Sequence, residues 1–493
     1  MRRVLTPMVL GALVGLGACS EPPAAPTTMG NQQPATTPAV SFATAATTAD
    51  LTGRYIVTLK GQGSGSLAAR VAALGGTVDW ISPGAGLATV SGLDANGAAA
   101  LAGSTGIAAV DIDEALPLED PGVASVPEAA DPTPASPAAP ATAFFFPRQW
   151  NMRAVQADAA WAAGNLGSPS VSVFILDSGI DYLHLDLAGL VDLSRSVDML
   201  GTFNVGGVPF TERDTVAKYF PSRLPFTDLF FHGTHVAATV SSNAVAAAGV
   251  TSRTTLVAVK VCAYLNTCPT SSILAGVVYA AENGADVINM SLGGSFAKAG
   301  NGRFVGLFNQ VFNYARSKGV TIVVSAGNSA IDLDHDGNGY KTYCSTPATV
   351  CVAATGPTYR GSVNGPFLDV DAPAYYTNFG SSAINVAAPG GNSGPPVPPP
   401  ASGDNFVYAA CSGSSLIIPV CQTGTFVVGV QGTSMASPHV AGTAALLVGQ
   451  LGRNPGAIRA RLQSSADDLG KPGTDPYYGK GRLNVARAVG ALP

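Results

Sequence analysis

Short, continuously apolar runs alternate with longer stretches of helical spacing from about residue 149 to the C-terminus. Val173-Phe174-Ile175-Leu176, Leu256-Val257-Ala258-Val259 and Val287-Ile288-Asn289-Met290 have almost no polar face, so they predict strands buried on both sides. Residues 271–283, closed by Gly284, and the small-residue run 440–448 predict helices, as do 455–462 and 484–492 near the end. Strand, helix and strand in succession call for crossover connections. The expected fold of residues 147–493 is therefore α/β, a doubly wound and mostly parallel sheet.

Residues 51–119 carry a different rhythm. Strand-like 54–59, helix-like 66–74, strand-like 77–81 and 86–90, helix-like 94–101 and strand-like 107–112 give the order βαββαβ, that of a small α+β ferredoxin-like unit. On either side the pattern lapses. Residues 19–50 are Pro, Thr, Ala and Gln with few large apolar side chains, and predict a disordered tether. Residues 120–146 begin as a Pro/Ala/Ser linker, expected to be extended and protease-accessible, and end in Phe144-Phe145-Phe146. That triplet suits either the packing of a new N-terminus or a plain hydrophobic anchor.

Composition adds a compartment. Charged residues make up only 12% of the 493 and the net charge is -5, so nothing suggests a nucleic-acid partner. Arg2 and Arg3 precede an apolar run at 4–17, the layout of an export signal over residues 1–18, and too short for a comfortable membrane span. The run stops at Leu16-Gly17-Ala18-Cys19, which resembles a bacterial lipobox. On that reading Cys19 is lipidated and anchors an outer-membrane or cell-surface lipoprotein, with release to the medium as a further outcome. The other reading is an ordinary signal peptide whose cleavage site lies beside a cysteine. The remaining cysteines fall into near neighbours, Cys262/Cys268, Cys344/Cys351 and Cys411/Cys421, and short loops favour local disulfides in an oxidising compartment.

The chemistry gathers in three places. Ser434, in Gly432-Thr433-Ser434-Met435-Ala436-Ser437-Pro438, sits among small residues at the start of a helical run, with its N–H at the positive end of the helix dipole. A serine hydroxyl is nearly inert at neutral pH and needs a base within reach and a third group to orient that base. His232, in His232-Gly233-Thr234-His235-Val236-Ala237, is the candidate base. Asp177, in Asp177-Ser178-Gly179-Ile180, ends an apolar strand at the functional edge of an α/β sheet. The order Asp, His, Ser is that of subtilisin.

Together with Ser291-Leu292-Gly293-Gly294 and Ala326-Gly327-Asn328, these motifs resemble the subtilisin-like serine proteases (subtilases), including their secreted, proteinase K-like branch, over about residues 149–493. The resemblance implies a serine endopeptidase acting on polypeptides, in which Asp177 orients, His232 is the general base and Ser434 attacks. It implies Asn328 as the side-chain donor of the oxyanion hole, beside the Ser434 N–H. Ser291, Leu292 and Gly293 would pair with substrate main chain, and Ser325, Ala326 and Gly327 would wall the pocket before the scissile bond. Residues 51–119 would be an inhibitory, chaperoning propeptide, removed by self-cleavage near Glu119 or within the linker. Ala238 departs from the family's usual Gly, and the segment 182–231 is longer than in compact members. Two competing readings are a non-catalytic surface module derived from a protease and an N-terminal unit that inhibits other proteases.

No cofactor is required for this chemistry. Asp332, Asp334, Asp336 and Asn338 alternate before a Gly turn like the opening of an EF-hand loop, but the closing bidentate acid is replaced by Tyr343. Structural calcium and a solvated turn are the two expectations. His184 with Asp186, and His232 with His235, have metal-like spacing without a third ligand, and are read as a turn and as structural.

Overall fold

Alternation along the strand Ser172–Asp177 sets the layers of the catalytic unit. Val173 and Ile175 pack into one buried cluster, against the helices His232–Val240 and Thr433–Leu451. Phe174 and Leu176 point the other way, into a second cluster beneath the helices Thr270–Glu282 and Gly302–Ser317. A strand covered on both faces has no need of polar positions, which is why its sequence reads as one apolar run.

In the computed structural model, which describes residues 52–61, 63–118, 128–130, 137–299, 302–341, 343–394 and 405–493, seven strands form one parallel sheet. Their spatial order is Val386–Pro389, Thr349–Thr355, Thr321–Ser325, Val287–Met290, Ser172–Asp177, Thr255–Lys260 and Val197–Asp198. The chain moves from Ser172–Asp177 to Thr255–Lys260 on one side, then returns to Val287–Met290 on the other. Strand order therefore reverses at the Asp177 strand, and the crevice beyond its carboxyl end is where α/β sheets bind ligands. The expected signal peptide, the tether and Cys19 lie outside the described residues, as does part of the expected linker.

Residues 52–118 form a four-stranded antiparallel sheet, ordered Thr77–Ser82, Leu87–Ser91, Arg54–Leu59, Ile107–Ile112, with helices Leu67–Ala73 and Ala95–Ala102. Val57, Leu67, Val71, Val90 and Leu101 make its own core. Its other face lies on the catalytic unit. The Asp113 carboxylate accepts from the backbone N–H and hydroxyl of Ser271, at 2.7 and 2.6 Å, satisfying donors in the first turn of the Thr270–Glu282 helix. Arg54 Nε stands 3.4 Å from the same carboxylate, both side chains buried. Within the long 182–231 segment, a hairpin of Thr202–Val205 and Val208–Thr211 reaches the same unit: Asn204 N–H donates to Thr52 O at 2.8 Å, and Arg54 Nη1 donates to Leu200 O at 2.7 Å.

Three expectations change. The stretch expected as a linker is not free along its length: Glu128–Ala129 pairs with the strand Phe426–Val430, and the Phe144 and Phe145 N–H groups donate to Val245 O and Ala246 O. The 16-residue helix Gly302–Ser317 was not anticipated, although Phe304, Leu307, Phe308, Val311, Phe312 and Ala315 recur at helical spacing and are all buried. The last helix shortens to Val485–Ala488. The three disulfides join the near neighbours, Cys262–Cys268, Cys344–Cys351 and Cys411–Cys421.

Candidate active site

Three elements bring the expected residues together. Asp177 ends its strand; His232 opens a nine-residue helix; Ser434 is the second residue of a 19-residue helix, where the first N–H groups have no intrahelical acceptor. His232 Nδ1 lies 2.8 Å from Asp177 Oδ1, and both side chains are fully buried. The Asp177 oxygen also accepts from Ser178 N–H at 2.8 Å. On the far side of the ring, His232 Nε2 has no hydrogen-bond partner. The Ser434 hydroxyl donates instead to Ser291 O, at 3.2 Å. A base–nucleophile bond commonly tightens only with substrate.

Asn328 stands beside this pair. Its Oδ1 accepts from Thr433 N–H at 2.8 Å and from the Thr433 hydroxyl at 2.9 Å. Ser291 Oγ donates to Ser434 O at 2.7 Å and lies 2.8 Å from Ser437 Oγ, so the Ser291-Leu292-Gly293 segment is bonded to the nucleophile helix. Opposite it, Ser325 donates to Leu292 O at 2.9 Å, and Gly327 N–H donates to Thr433 Oγ1 at 2.9 Å. Leu292 and Ala326 are buried in one cluster. All six residues expected to hold substrate thus lie on two segments joined to each other and to the start of the Thr433–Leu451 helix.

The site is covered: His232 is 0% and Ser434 1% exposed. The N-terminal unit leaves its sheet through Ala115–Leu116, which pairs antiparallel with Cys268–Pro269 just before the Thr270–Glu282 helix. Leu118 is buried in the cluster that holds Leu292 and Ala326. Glu128–Ala129 then pairs with the strand that runs into Gly432 and Ser434.

His235 and His439 are buried against backbone carbonyls. His235 Nε2 lies 3.1 Å from Val407 O, and burial pushes the ring down to about 3. His439 Nδ1 is 2.8 Å from Met435 O, and burial holds it at about 4. Asp186 accepts from the N–H groups of Val245, Ala246 and Ala247, which makes it a loop brace. In the loop at 332–338 the four expected ligands bond to protein groups. Asp334 accepts from Ser382, Asp336 from Lys298, Asn338 from Ala299 N–H, and Asp332 lies 2.8 Å from His335 Nδ1. No three acidic, His or Cys side chains converge on one point among the described residues.

The sequence pattern of the subtilase family matches residues 168–481. This chain belongs to the subtilase family. It is 31% identical to thermitase of Thermoactinomyces vulgaris over 349 residues, 70% of this chain and 97% of that one. It is 32% identical to subtilisin E of Bacillus subtilis (strain 168) over 343 residues, 68% of this chain and 69% of that one. Among solved structures, the epidermin leader peptide processing serine protease of Staphylococcus aureus superposes with a TM-score of 0.66 at 20% identity, covering 89% of this chain and 98% of that one. The fold is subtilisin-like, and the protein is a serine endopeptidase with polypeptide substrates.

Sequence reasoning passed over several residues that build the subtilase site. Thr433 orients Asn328. Asn378 braces the Asn328 loop, donating to Ala326 O at 2.8 Å and accepting from Ser329 and Ile331 N–H. Asp228 lies buried before the His232 helix. Only Asp228 left a signal, an acid in the otherwise apolar Leu229-Phe230-Phe231 approach to His232.

Proposed function

We propose that this subtilase is an exported zymogen that hydrolyses peptide bonds through an acyl-enzyme, with Asp177, His232 and Ser434 as the triad. The observation that carries the reading is the Asp177–His232 contact, 2.8 Å at Nδ1, with the ring's other nitrogen buried and without a hydrogen-bond partner. With Nδ1–H held by the carboxylate, Nε2 is the basic nitrogen. It takes the Ser434 proton as Oγ attacks the carbonyl carbon, and returns that proton to the departing amine. Asp177 stabilises the imidazolium formed meanwhile. The Ser434 N–H and the Asn328 side-chain amide receive the oxyanion. Water then repeats the sequence on the ester.

Zymogen status rests on the cover. Ala115–Leu116 occupies the edge of Cys268–Pro269, an edge to which an extended substrate could add as a strand. Chain on both sides of residues 119–127 is bound to the catalytic unit, which supports a maturation cut near Glu119 or within the linker that follows. Export rests on the Arg2-Arg3 signal and, for membrane anchoring, on Cys19. Metabolic labelling with a fatty acid, lost in Cys19→Ser, tests the anchor.

The central experiment is the intact mass of purified protein over time, wild type beside Ser434→Ala. Loss of the N-terminal unit from wild type alone supports the triad and the zymogen together. Two intact proteins, neither cleaving casein, would turn the reading toward a binding module.

A further inference from the structure

Asp177 and His232 come from different elements, and one hydrogen bond between their side chains does not fix the relative position of two backbones. The fixing is done nearby. Asp228, four residues before His232, is 0% exposed. Its Oδ1 accepts from the Ser178 hydroxyl at 2.9 Å and from Phe230 N–H at 2.9 Å. Its Oδ2 accepts from Thr234 N–H at 2.9 Å and from the Thr234 hydroxyl at 2.6 Å. Ser178 follows Asp177 directly past the end of the strand; Thr234 lies in the first turn of the His232 helix. One carboxylate therefore grips both elements that carry the triad's orienting pair.

We propose that Asp228 is a positioning residue for the triad, acting through Ser178 to hold Asp177 against His232 and supplying a second negative charge behind the imidazole. The proposal rests on the triad reading above.

The hydrogen positions make the case for an anion. Gly233 N–H donates to Ser178 Oγ at 3.0 Å, so the Ser178 hydroxyl hydrogen is directed at Asp228. Asp181 N–H donates to Thr234 Oγ1 at 3.0 Å, so that hydroxyl hydrogen is directed at Asp228 as well. All four partners are donors, and an ionised carboxylate is the form that accepts without donating. Burial pushes the Asp228 carboxyl above the usual range, while the Thr234 bonds and Lys260 pull it back and Asp177 pushes it further up. The charged groups about it are Asp177 on the strand, His232 on the helix and Lys260 on the neighbouring strand. Lys260 is itself paired with Glu212, and Asp181 with Arg223.

The backbones leave no slack for another arrangement. A methyl on Gly233 would meet Gly179 O at 2.1 Å and the Asp177 Cβ at 3.1 Å. One on Gly179 would meet Phe226 O at 2.4 Å and Asp228 N at 3.0 Å. Ser412 Oγ donates to Asp228 O at 2.6 Å, holding the Asp228 backbone from a third side. An ordinary helix cap would reach its own first turn only. Asp228 reaches across to the strand.

The test uses full-length protein after maturation, with Asp228→Asn, Ser178→Ala and the double variant. In Asp228→Asn an amide hydrogen must face a donor and the charge is lost. The expected result is kcat lower by about 10–100-fold with KM within about threefold. The acid limb of the kcat/KM profile should move down by roughly half a pH unit, since the imidazolium loses a neighbouring anion. Ser178→Ala keeps the charge and cuts the link, so kcat should fall by about 3–10-fold with the acid limb unmoved. The double variant should lose less than the product of the two. A purely structural Asp228 would lower the melting temperature and leave both kcat per folded site and the acid limb unchanged, which would overturn the proposal. Should Asp228→Asn not fold, Ser178→Ala with wild-type kcat overturns it alone. Failure of the triad reading would appear separately, as cleavage that survives Ser434→Ala.

Discussion

Thr433 donates two hydrogen bonds, one from its backbone and one from its hydroxyl, to the side-chain oxygen of Asn328. An amide held by its oxygen has a determined donor end, its Nδ2. Asn328→Ala is expected to lower kcat by about 10²–10³ with little change in KM, because the lost bond exists only when the oxyanion forms. Thr433→Val keeps the backbone bond and removes the hydroxyl; steady-state kinetics on a peptide substrate should find a loss of about tenfold or less.

The Arg54–Asp113 pair is buried on both sides and sits where the N-terminal unit meets the catalytic unit. Asp113→Ala removes the acceptor of both Ser271 donors and leaves a guanidinium without its counter-charge. The cost is expected at about 3–5 kcal/mol. Denaturant unfolding of the uncleaved Ser434→Ala protein, with and without Asp113→Ala, reads it directly. An unchanged midpoint would mean that the two units are held mainly by other contacts.

Glu114 gives the same junction a pH dependence. Burial, and then the neighbouring Asp113, push its carboxyl up to about 7 from an ordinary 4.5. The folded chain therefore binds a proton between those values that the unfolded chain has released, so stability falls as pH rises through the window and is fully present below it. The melting temperature of Ser434→Ala protein should drop between about pH 4.5 and 7. Glu114→Gln should flatten that part of the curve, and a slope unaltered by the substitution would assign it to other groups.

Cys411–Cys421 braces the loop between the antiparallel strands Val407–Ala410 and Phe426–Val430, and the same loop holds Gly413 N–H to Asp181 at 2.8 Å and Ser412 to Asp228. Replacing both cysteines by serine should lower unfolding free energy by about 2–3 kcal/mol, the loop-closure value for a span this short. Activity should be more sensitive to mild denaturant in the same variant, because two anchors of the catalytic pair lose their support.

How much of this was legible beforehand depended on locality. The Asp177 strand, the nucleophile helix and the three near-neighbour disulfides are written in contiguous residues, and each is where the pattern put it. The helix Gly302–Ser317 was equally well written and was overlooked. The grip of Asp228 on Ser178 joins residues 50 apart, and the pairing of Glu128–Ala129 with Phe426–Val430 joins segments far more distant. Such contacts depend on how layers stack, and no periodicity records that. The loop at 332–338 had the right residue types in the right alternation, yet its side chains bond to Ser382, Lys298 and His335, groups that a linear pattern could not place beside it.

The hairpin at 202–211 holds the N-terminal unit at Thr52; on the zymogen reading proposed above, that unit and Cys19 lie on one side of the cut and Ser434 on the other. With a lipid on Cys19, cleavage would leave the fatty chains on one polypeptide and the nucleophile on another. Residence of the active enzyme at a membrane would then be a dissociation rate, set by the hairpin and by the bonds of Arg54 and Asp113 to Leu200 and Ser271. Substitutions that loosen those contacts would act as a timer, shortening the interval between maturation and departure of the protease into the surroundings.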